Sequence, residues 1–217
     1  MYTGPEIIGV QGTYPLVLIR QNGETSYCVE GMVFTAGAVF DWLAHGLGAL
    51  ENPAQSNALA ASVKDTHGVY MLPALQGLGA PYMDPQQSAL IGGLTRGATK
   101  AHVARAAMEG ITFRVREMLD RIYEDSGLPR PSSLAADGGA SANDLFMQIQ
   151  ADALGQPVER MAPIEASAFG AALLAGQAEG VWGPDAVDQH RKIDRTFEPT
   201  WSAEEREDRF NSWRKAC

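Results

Sequence analysis

A pair of glycines joins a predicted strand to a predicted helix in the second half of the chain, and this connection narrows the possible folds. Residues 137–143, Asp-Gly-Gly-Ala-Ser-Ala-Asn, follow the apolar run 134–136 and precede an amphipathic segment that ends at Gly155. Glycine allows positive φ and close approach of a ligand to the main chain, while the first N–H groups of a helix are unpaired at the positive end of its dipole. The pattern predicts either an anion site or an ordinary connection in which Asp137 or Ser141 caps the helix.

Strand and helix patterns alternate along the rest of the chain and predict an α/β fold. Two β-rich runs, 14–20 and 25–30, flank Asn22-Gly23 and indicate a hairpin. Further strands are predicted at 69–72, 89–91, 134–136 and 157–160, and further helices at 35–45, 51–63, 99–124 and 167–179. The charged tail is expected to form a surface strand and helix. The loop 73–85 is long for a compact domain, and long ordered loops are often functional.

The helix predicted at 99–124 has the clearest periodicity in the sequence. Apolar residues recur there at spacings of three and four, at Val103, Ala107, Ile111, Val115, Met118 and Ile122. Charged residues fall largely elsewhere on the helical wheel, at Arg105, Glu109, Arg116 and Asp120. The segment is therefore predicted to be a scaffold helix packed on the core.

Composition excludes several classes of protein. The 217 residues are 45% hydrophobic, enough for a sizeable core, and carry a formal net charge of −9, which argues against a nucleic-acid-binding surface. The two cysteines, Cys28 and Cys217, form neither a disulfide framework nor a spaced ligand set. This cysteine usage favours a reducing, cytoplasmic setting. No signal peptide or membrane span is predicted.

Other candidate motifs lack the residues that their chemistry requires. Residues 92–100 nearly match a P-loop, but Ala98 stands where the phosphate-binding lysine is required. The histidines lack paired metal-ligand spacing, and no Gly-x-Ser-x-Gly elbow nominates a nucleophile. None of these segments therefore assigns a catalytic or metal-ligating residue.

Four ordered segments resemble one known family. They are 30–38 (Glu-Gly-Met-Val-Phe-Thr-Ala-Gly-Ala), 77–85 (Gly-Leu-Gly-Ala-Pro-Tyr-Met-Asp-Pro), 93–97 (Gly-Leu-Thr-Arg-Gly) with His102, Val103 and Glu109 after it, and 137–140. Together they resemble the carboxy-terminal domain of FGGY-family carbohydrate kinases over about residues 14–213. The segments 77–82 and 93–97 favour the glycerol kinase branch, although Met83 replaces a tryptophan usual there.

The resemblance implies a fold and a nucleotide site. The fold is an actin-like, ribonuclease-H-type α/β domain with a mixed sheet flanked by helices, extending as one nucleotide-binding domain over 1–217. ATP or ADP would be the ligand, with Mg²⁺. Gly37 would lie against the phosphates, and Asp41 stands near the nucleotide where glycerol kinases usually carry glutamine. Gly138, Gly139 and Ala140 would meet the nucleotide in the turn, and Asn143 would reach the adenine side.

The implied reaction is transfer of the ATP γ-phosphoryl group to glycerol. In the family, the catalytic aspartate, the glycerol-binding residues and a Gly-Thr phosphate hairpin precede the segment represented here, so the chain alone is expected to have little activity. The missing hairpin would leave a gap or an exposed edge in the central sheet. Two alternatives stay open: a non-catalytic nucleotide-binding or subunit-interaction module, and a kinase for another polyol or sugar. A homo-oligomer is compatible with each of these interpretations.

Overall fold

The computed structural model describes residues 1–21, 23–162, 165–183 and 185–217. They divide into two compact units, one of Met1–Pro131 with Glu207–Cys217 and the other of Ser132–Arg206. A single domain over 1–217 stays a prediction. Within the described ranges, no helix is both long and apolar enough to cross a membrane.

The first unit begins with a three-stranded antiparallel sheet. Its strands are β1 (Tyr2–Gly4), β2 (Tyr14–Gln21) and β3 (Glu24–Glu30), in the order β1-β3-β2. The pairing of β2 with β3 confirms the predicted hairpin strands, while Asn22 of its turn lies outside the described residues. The adjoining Gly23 has φ 85°, a conformation that glycine adopts without steric cost. Strand β1 was not among the predicted elements.

The helix predicted at 35–45 is shorter and less regular than expected. Helix α1 covers Ala38–Asp41, and a π-helical turn continues it over Trp42–Gly46. The N–H of Leu47 bonds the carbonyl of Trp42 at 2.8 Å, which is the five-residue spacing of a π-turn. Helix α2 (Gln55–Ala61) likewise covers only the middle of its predicted range.

Helix α3 (Lys100–Ser126) is the scaffold of the first unit, as its periodicity predicted. Thr99 and His102 form a capping box at its start, and Gly127 ends it with φ 64°. Strand β4 (Tyr70–Leu72), paired with β5 (Leu90–Gly92), packs so closely on α3 that a Cβ at Gly110 would lie 2.3 Å from the carbonyl oxygen of Met71. Gly110 is therefore required for this packing.

Two of the four charged residues that were predicted to lie largely away from the apolar face of α3 are buried. Glu109 is 7% exposed and Arg116 is 9% exposed. Glu109 receives a bond of 3.3 Å from Arg105 and lies 3.6 Å from Arg209, while Arg116 bonds Glu207 at 2.6 Å. Burial raises the pKa of Glu109, although the positive charges of Arg209 and Arg105 act to lower it. The periodicity missed these positions because residues of the C-terminal segment cover them.

The second unit contains a three-stranded mixed sheet. Strands β6 (Leu134–Ala136) and β7 (Val158–Met161) are parallel, and β8 (Ile193–Phe197) pairs antiparallel to β7. Helix α4 (Asp144–Leu154) connects β6 to β7. The connection is long enough for the crossover that two parallel strands require. The remaining helices are α5 (Ala166–Ala178), α6 (Ala186–His190) and α7 (Ala203–Ala216). Helix α7 continues from Glu207 into the first unit.

Candidate nucleotide-binding site

The turn predicted to bind an anion lies at the carboxyl end of β6. Gly138 has φ 84° and ψ 168°, a conformation essentially confined to glycine. A 3₁₀ turn, Gly139–Ala142, follows before α4 begins. The sequence pattern placed the helix directly after the glycines, and this detail is wrong: a separate turn of backbone lies between them.

The main chain at the paired glycines is accessible. A Cβ built on Gly138 or Gly139 would meet no atom of the described residues within 4 Å. Gly139 itself is exposed and Gly138 is half-buried. Absence of a side chain at 139 thus leaves room for a ligand to approach the backbone, whereas glycine at 138 is needed for the backbone conformation as well.

Ser141 forms hydrogen bonds inside the turn, and Asn143 forms one at the start of α4. The Ser141 hydroxyl donates to the Gly138 carbonyl at 2.7 Å, and the Ser141 N–H donates to the same oxygen at 3.0 Å. Asn143 accepts a bond from the N–H of Phe146 at 3.0 Å and caps α4. The cap is therefore Asn143, and neither Asp137 nor Ser141 fills that role.

An arginine on the neighbouring strand reaches the turn. Arg160 Nη1 donates to the Ser141 carbonyl at 3.2 Å and to Asp144 Oδ1 at 2.6 Å, and its Nε donates to Asp194 Oδ2 at 2.7 Å. The hydrogen bond to Asp144, aided by the one to Asp194, raises the pKa of Arg160. The guanidinium is thus a fixed positive charge at the base of the turn.

Arg160 was not among the site residues predicted from the sequence, although it ends the predicted strand 157–160. Parallel pairing places Arg160 opposite Ala136, the last residue of β6 before the turn. A charged residue at the end of one strand and a glycine turn at the end of the next are expected to meet when the strands are parallel. The missing information was the pairing itself, which is not local in the sequence.

Gly37 and Asp41 lie in the first unit. Gly37 is half-buried, has φ −54° and ψ −32°, and directly precedes α1; its carbonyl accepts from the Phe40 N–H at 3.0 Å. Asp41 is exposed at the end of α1, one helical turn further on. Val39 and Leu43 are buried and attach this helical segment to the core. The structure thus gathers the six predicted residues into two groups, Gly37 with Asp41 in one unit and Gly138, Gly139, Ala140 and Asn143 in the other.

The described residues do not supply a protein cage for a metal. Among them, no group of three or more histidine, cysteine, aspartate or glutamate side chains is placed to hold an ion. The described residues therefore do not fit a metal that is bound by protein side chains alone.

Comparison with known proteins identifies the family. The profile of the FGGY family of carbohydrate kinases, C-terminal domain, matches residues 1–179. A glycerol kinase of Bordetella parapertussis is 50% identical over 192 residues, which cover 88% of this chain and 38% of that protein. A glycerol kinase of Aeromonas hydrophila is 42% identical over 218 residues, covering 100% of this chain and 43% of that protein. The chain spans about two fifths of the length of these curated relatives.

Solved structures agree with the sequence relatives. The crystal structure of Plasmodium falciparum glycerol kinase with ADP matches with a TM-score of 0.91 at 29% identity, over 100% of this chain and 44% of that one. A xylulose kinase from Lactobacillus acidophilus matches with a TM-score of 0.79 at 23% identity, over 96% of this chain and 42% of that one, and shares the fold. The expected actin-like α/β fold with a mixed sheet is confirmed. The chain belongs to the FGGY family of carbohydrate kinases and corresponds to the C-terminal domain of that family.

Proposed function

We propose that this chain binds ATP or ADP through the 137–143 turn and is the nucleotide-binding part of a glycerol kinase. The observation that carries the proposal is the open main chain at Gly138 and Gly139, located at the carboxyl end of a parallel strand. Ligands of open α/β sheets bind outside the carboxyl ends of the strands. The relatives named glycerol kinase, and the similar structure that contains ADP, support both the ligand and the reaction.

Each predicted site residue has a proposed role. Gly139 and Ala140 offer main chain to the nucleotide, Gly138 sets the backbone path, and Asn143 lies toward the adenine while it caps α4. The resemblance assigns Gly37 to the phosphates and Asp41 to the neighbourhood of the nucleotide. A carboxylate at 41 would repel phosphate, whereas the glutamine usual in glycerol kinases is neutral.

Magnesium belongs to the proposal only as a companion of the nucleotide. Mg²⁺ commonly keeps several waters and binds substrate phosphates with one or two carboxylates, so it does not require an all-protein cage. We propose that ATP is used as its Mg²⁺ complex and that phosphate oxygens supply the main ligands. When bound, the ion would neutralise charge on the transferred phosphoryl group.

The acceptor is proposed to bind outside this chain. Phosphoryl transfer depends on positioning an acceptor hydroxyl and on a carboxylate that accepts its proton. The resemblance assigns those residues to the amino-terminal part of the full-length enzymes. We further propose that residues 1–217 act as one nucleotide-binding domain, and a cytoplasmic setting and homo-oligomer formation stay predictions.

Two measurements on the purified 217-residue chain test the proposal. Titration calorimetry should detect ADP binding, and a glycerol-dependent ADP release assay should show little or no turnover. Failure to bind ADP would contradict the nucleotide site. Turnover comparable to ordinary kinases would contradict the assignment of the acceptor site to another part of the enzyme.

Addition of an amino-terminal half from a relative separates a kinase from a non-catalytic module. Restored ADP release with glycerol would support a kinase, whereas nucleotide binding without transfer would favour a binding or subunit-interaction module. A panel of polyols and sugars in the same reconstituted assay identifies the acceptor, and a marked preference for another sugar would contradict glycerol.

A further inference from the structure

The guanidinium of Arg160 contacts three parts of the second unit at once. Its partners are the Ser141 carbonyl in the turn, Asp144 at the first position of α4, and Asp194 on β8, at 3.2, 2.6 and 2.7 Å respectively. The side chain is 15% exposed and lies over the ring of Phe197, with 5.4 Å to the ring centroid. Because the ring and three acceptors surround it, the guanidinium has little conformational freedom.

Ser141 links this guanidinium to the paired glycines. Among residues 137–143, all of which are described, Ser141 alone is buried, with 2% exposure. Its hydroxyl and N–H both bond the Gly138 carbonyl, while its own carbonyl accepts from Arg160. Loss of the Arg160 bond would therefore remove one of the contacts that fix Ser141, the residue whose hydroxyl and N–H hold the Gly138 carbonyl.

Arg160 also controls the charge beside the turn. A carboxylate at the first residue of α4 is favourable for the helix dipole, but it would repel a phosphate bound at the adjacent turn. Arg160 bonds one oxygen of Asp144, and Arg195 bonds the other at 2.6 Å. With Asp194 included, the cluster contains two positive and two negative side chains, so Asp144 presents no uncompensated charge to a ligand.

We infer that Arg160 is a positioning residue for nucleotide binding: its bond to the Ser141 carbonyl helps to fix the residue that holds the glycine turn, and it compensates Asp144 beside that turn. The inference rests on the proposed function, because the benefit exists only if the turn holds a phosphate-bearing ligand. It concerns a residue that does not itself touch the nucleotide.

The test compares ADP binding by variants of the 217-residue chain. Arg160→Gln should raise the Kd for ADP about tenfold, the effect of losing one charge-assisted hydrogen bond. Arg160→Lys keeps the charge but lacks the planar fork that reaches several acceptors, so it should recover only part of the affinity. Arg191→Gln is the matched control, because Arg191 pairs with Glu159, the neighbour of Arg160 on β7, at 3.0 Å.

Thermal unfolding and far-ultraviolet circular dichroism on the same samples separate positioning from stability. A structural role alone would lower Tm and leave the Kd of the folded protein unchanged, and that result would overturn the inference. An equal rise in Kd for Arg191→Gln would overturn it too, because the effect would then be general to arginine pairs. If Arg160→Gln does not fold, the Kd for ADP of Arg160→Lys tests the inference instead. Failure of both variants to fold would show a purely structural role and would overturn the inference.

The outcomes also distinguish this inference from the proposed function. No ADP binding by the unaltered chain contradicts the nucleotide site, and the inference with it. ADP binding by the unaltered chain with an equal Kd for folded Arg160→Gln contradicts the inference alone.

Discussion

Glycines in the loop 77–85 and glycines in the turn 137–143 are present for opposite reasons. A Cβ at Gly79 would lie 1.9 Å from the Met32 carbonyl oxygen, and one at Gly77 would lie 2.6 Å from the Cα of Pro85. At Gly138 and Gly139 the same atom finds no neighbour within 4 Å among the described residues. The loop glycines allow the chain to pack against itself, while the turn glycines keep main chain open.

This difference assigns separate kinds of importance to two motifs that look alike in the sequence. The loop is fastened to its surroundings: the Ala80 N–H donates to the Met32 carbonyl at 2.8 Å, and the Ala80 carbonyl accepts from Arg114 at 2.7 Å. The turn is stabilised by the bond from the Ser141 hydroxyl to the Gly138 carbonyl and by the bond from Arg160 to the Ser141 carbonyl. Substitutions in the loop should therefore affect folding first, and substitutions in the turn should affect ligand binding.

The largest effect is expected for Gly79→Ala. The new methyl group overlaps backbone, which cannot move aside as a flexible side chain can, so the free energy of unfolding should fall by about 3 kcal/mol. Urea denaturation followed by circular dichroism measures it. Gly9→Ala is the control, since its methyl group meets no described atom within 4 Å. A loss below about 0.5 kcal/mol at position 79 would contradict the conclusion that the loop glycines are required for packing.

Gly138→Ala should have the next largest effect, and it should change both stability and ADP binding. A backbone with φ 84° and ψ 168° is strained for any residue with a Cβ, so we expect a loss of about 1–3 kcal/mol in unfolding free energy together with weaker ADP binding. Urea denaturation and calorimetric titration with ADP report the two parts. Unchanged stability would show that the turn adopts another conformation in solution.

Gly139→Ala should separate binding from folding. Its methyl group would point into open space, so unfolding free energy should stay within about 0.5 kcal/mol of the original. The same methyl group would obstruct close approach of the nucleotide, and the Kd for ADP should rise about tenfold. Calorimetric titration with ADP, together with urea denaturation, measures both quantities for the variant. Normal ADP affinity at 139 would place the ligand elsewhere.

The smallest effect is expected for Asp41→Gln. Removing an exposed carboxylate from the neighbourhood proposed for the phosphates should lower the Kd for ADP about two- to threefold, because exposed charges interact weakly through water. The gain should shrink as salt is raised from 50 to about 500 mM, over which the screening length shortens. Asp84→Asn, in the loop, serves as the charge-matched control. A gain in ADP affinity that does not change with salt concentration would show that relief of electrostatic repulsion is not its cause.

Local patterns were sufficient for much of the fold. The periodicity of α3, the hairpin strands β2 and β3, and the strand before the glycine turn were all predicted from spacing and turn residues. Less was correct at 35–45, where a short helix passes into a π-turn, and at the start of α4, where Asn143 takes the cap. These details depend on competing hydrogen bonds that propensity does not resolve.

The candidate site was predictable in part. Gly138 and Gly139 were recognisable because backbone conformation and ligand access depend on the absence of a side chain at those positions. Arg160 was not, because its role arises from the parallel register that places it beside Ala136. The buried charges Glu109 and Arg116 were also missed, since their arginine and glutamate partners lie about 100 residues away in the sequence, at Arg209 and Glu207.

Residue patterns alone were enough to predict the alternation of strands and helices, the glycine turn after a strand, and the family resemblance that names a nucleotide as ligand. These follow from residue chemistry acting over a few neighbours. The folded structure was needed to show which glycines are packed and which are open, that Gly138 has a backbone conformation confined to glycine, that Ser141 connects the turn to Arg160, and that Asp144 is compensated from both sides. Such contacts depend on strand pairing and burial between distant segments, which no local pattern specifies.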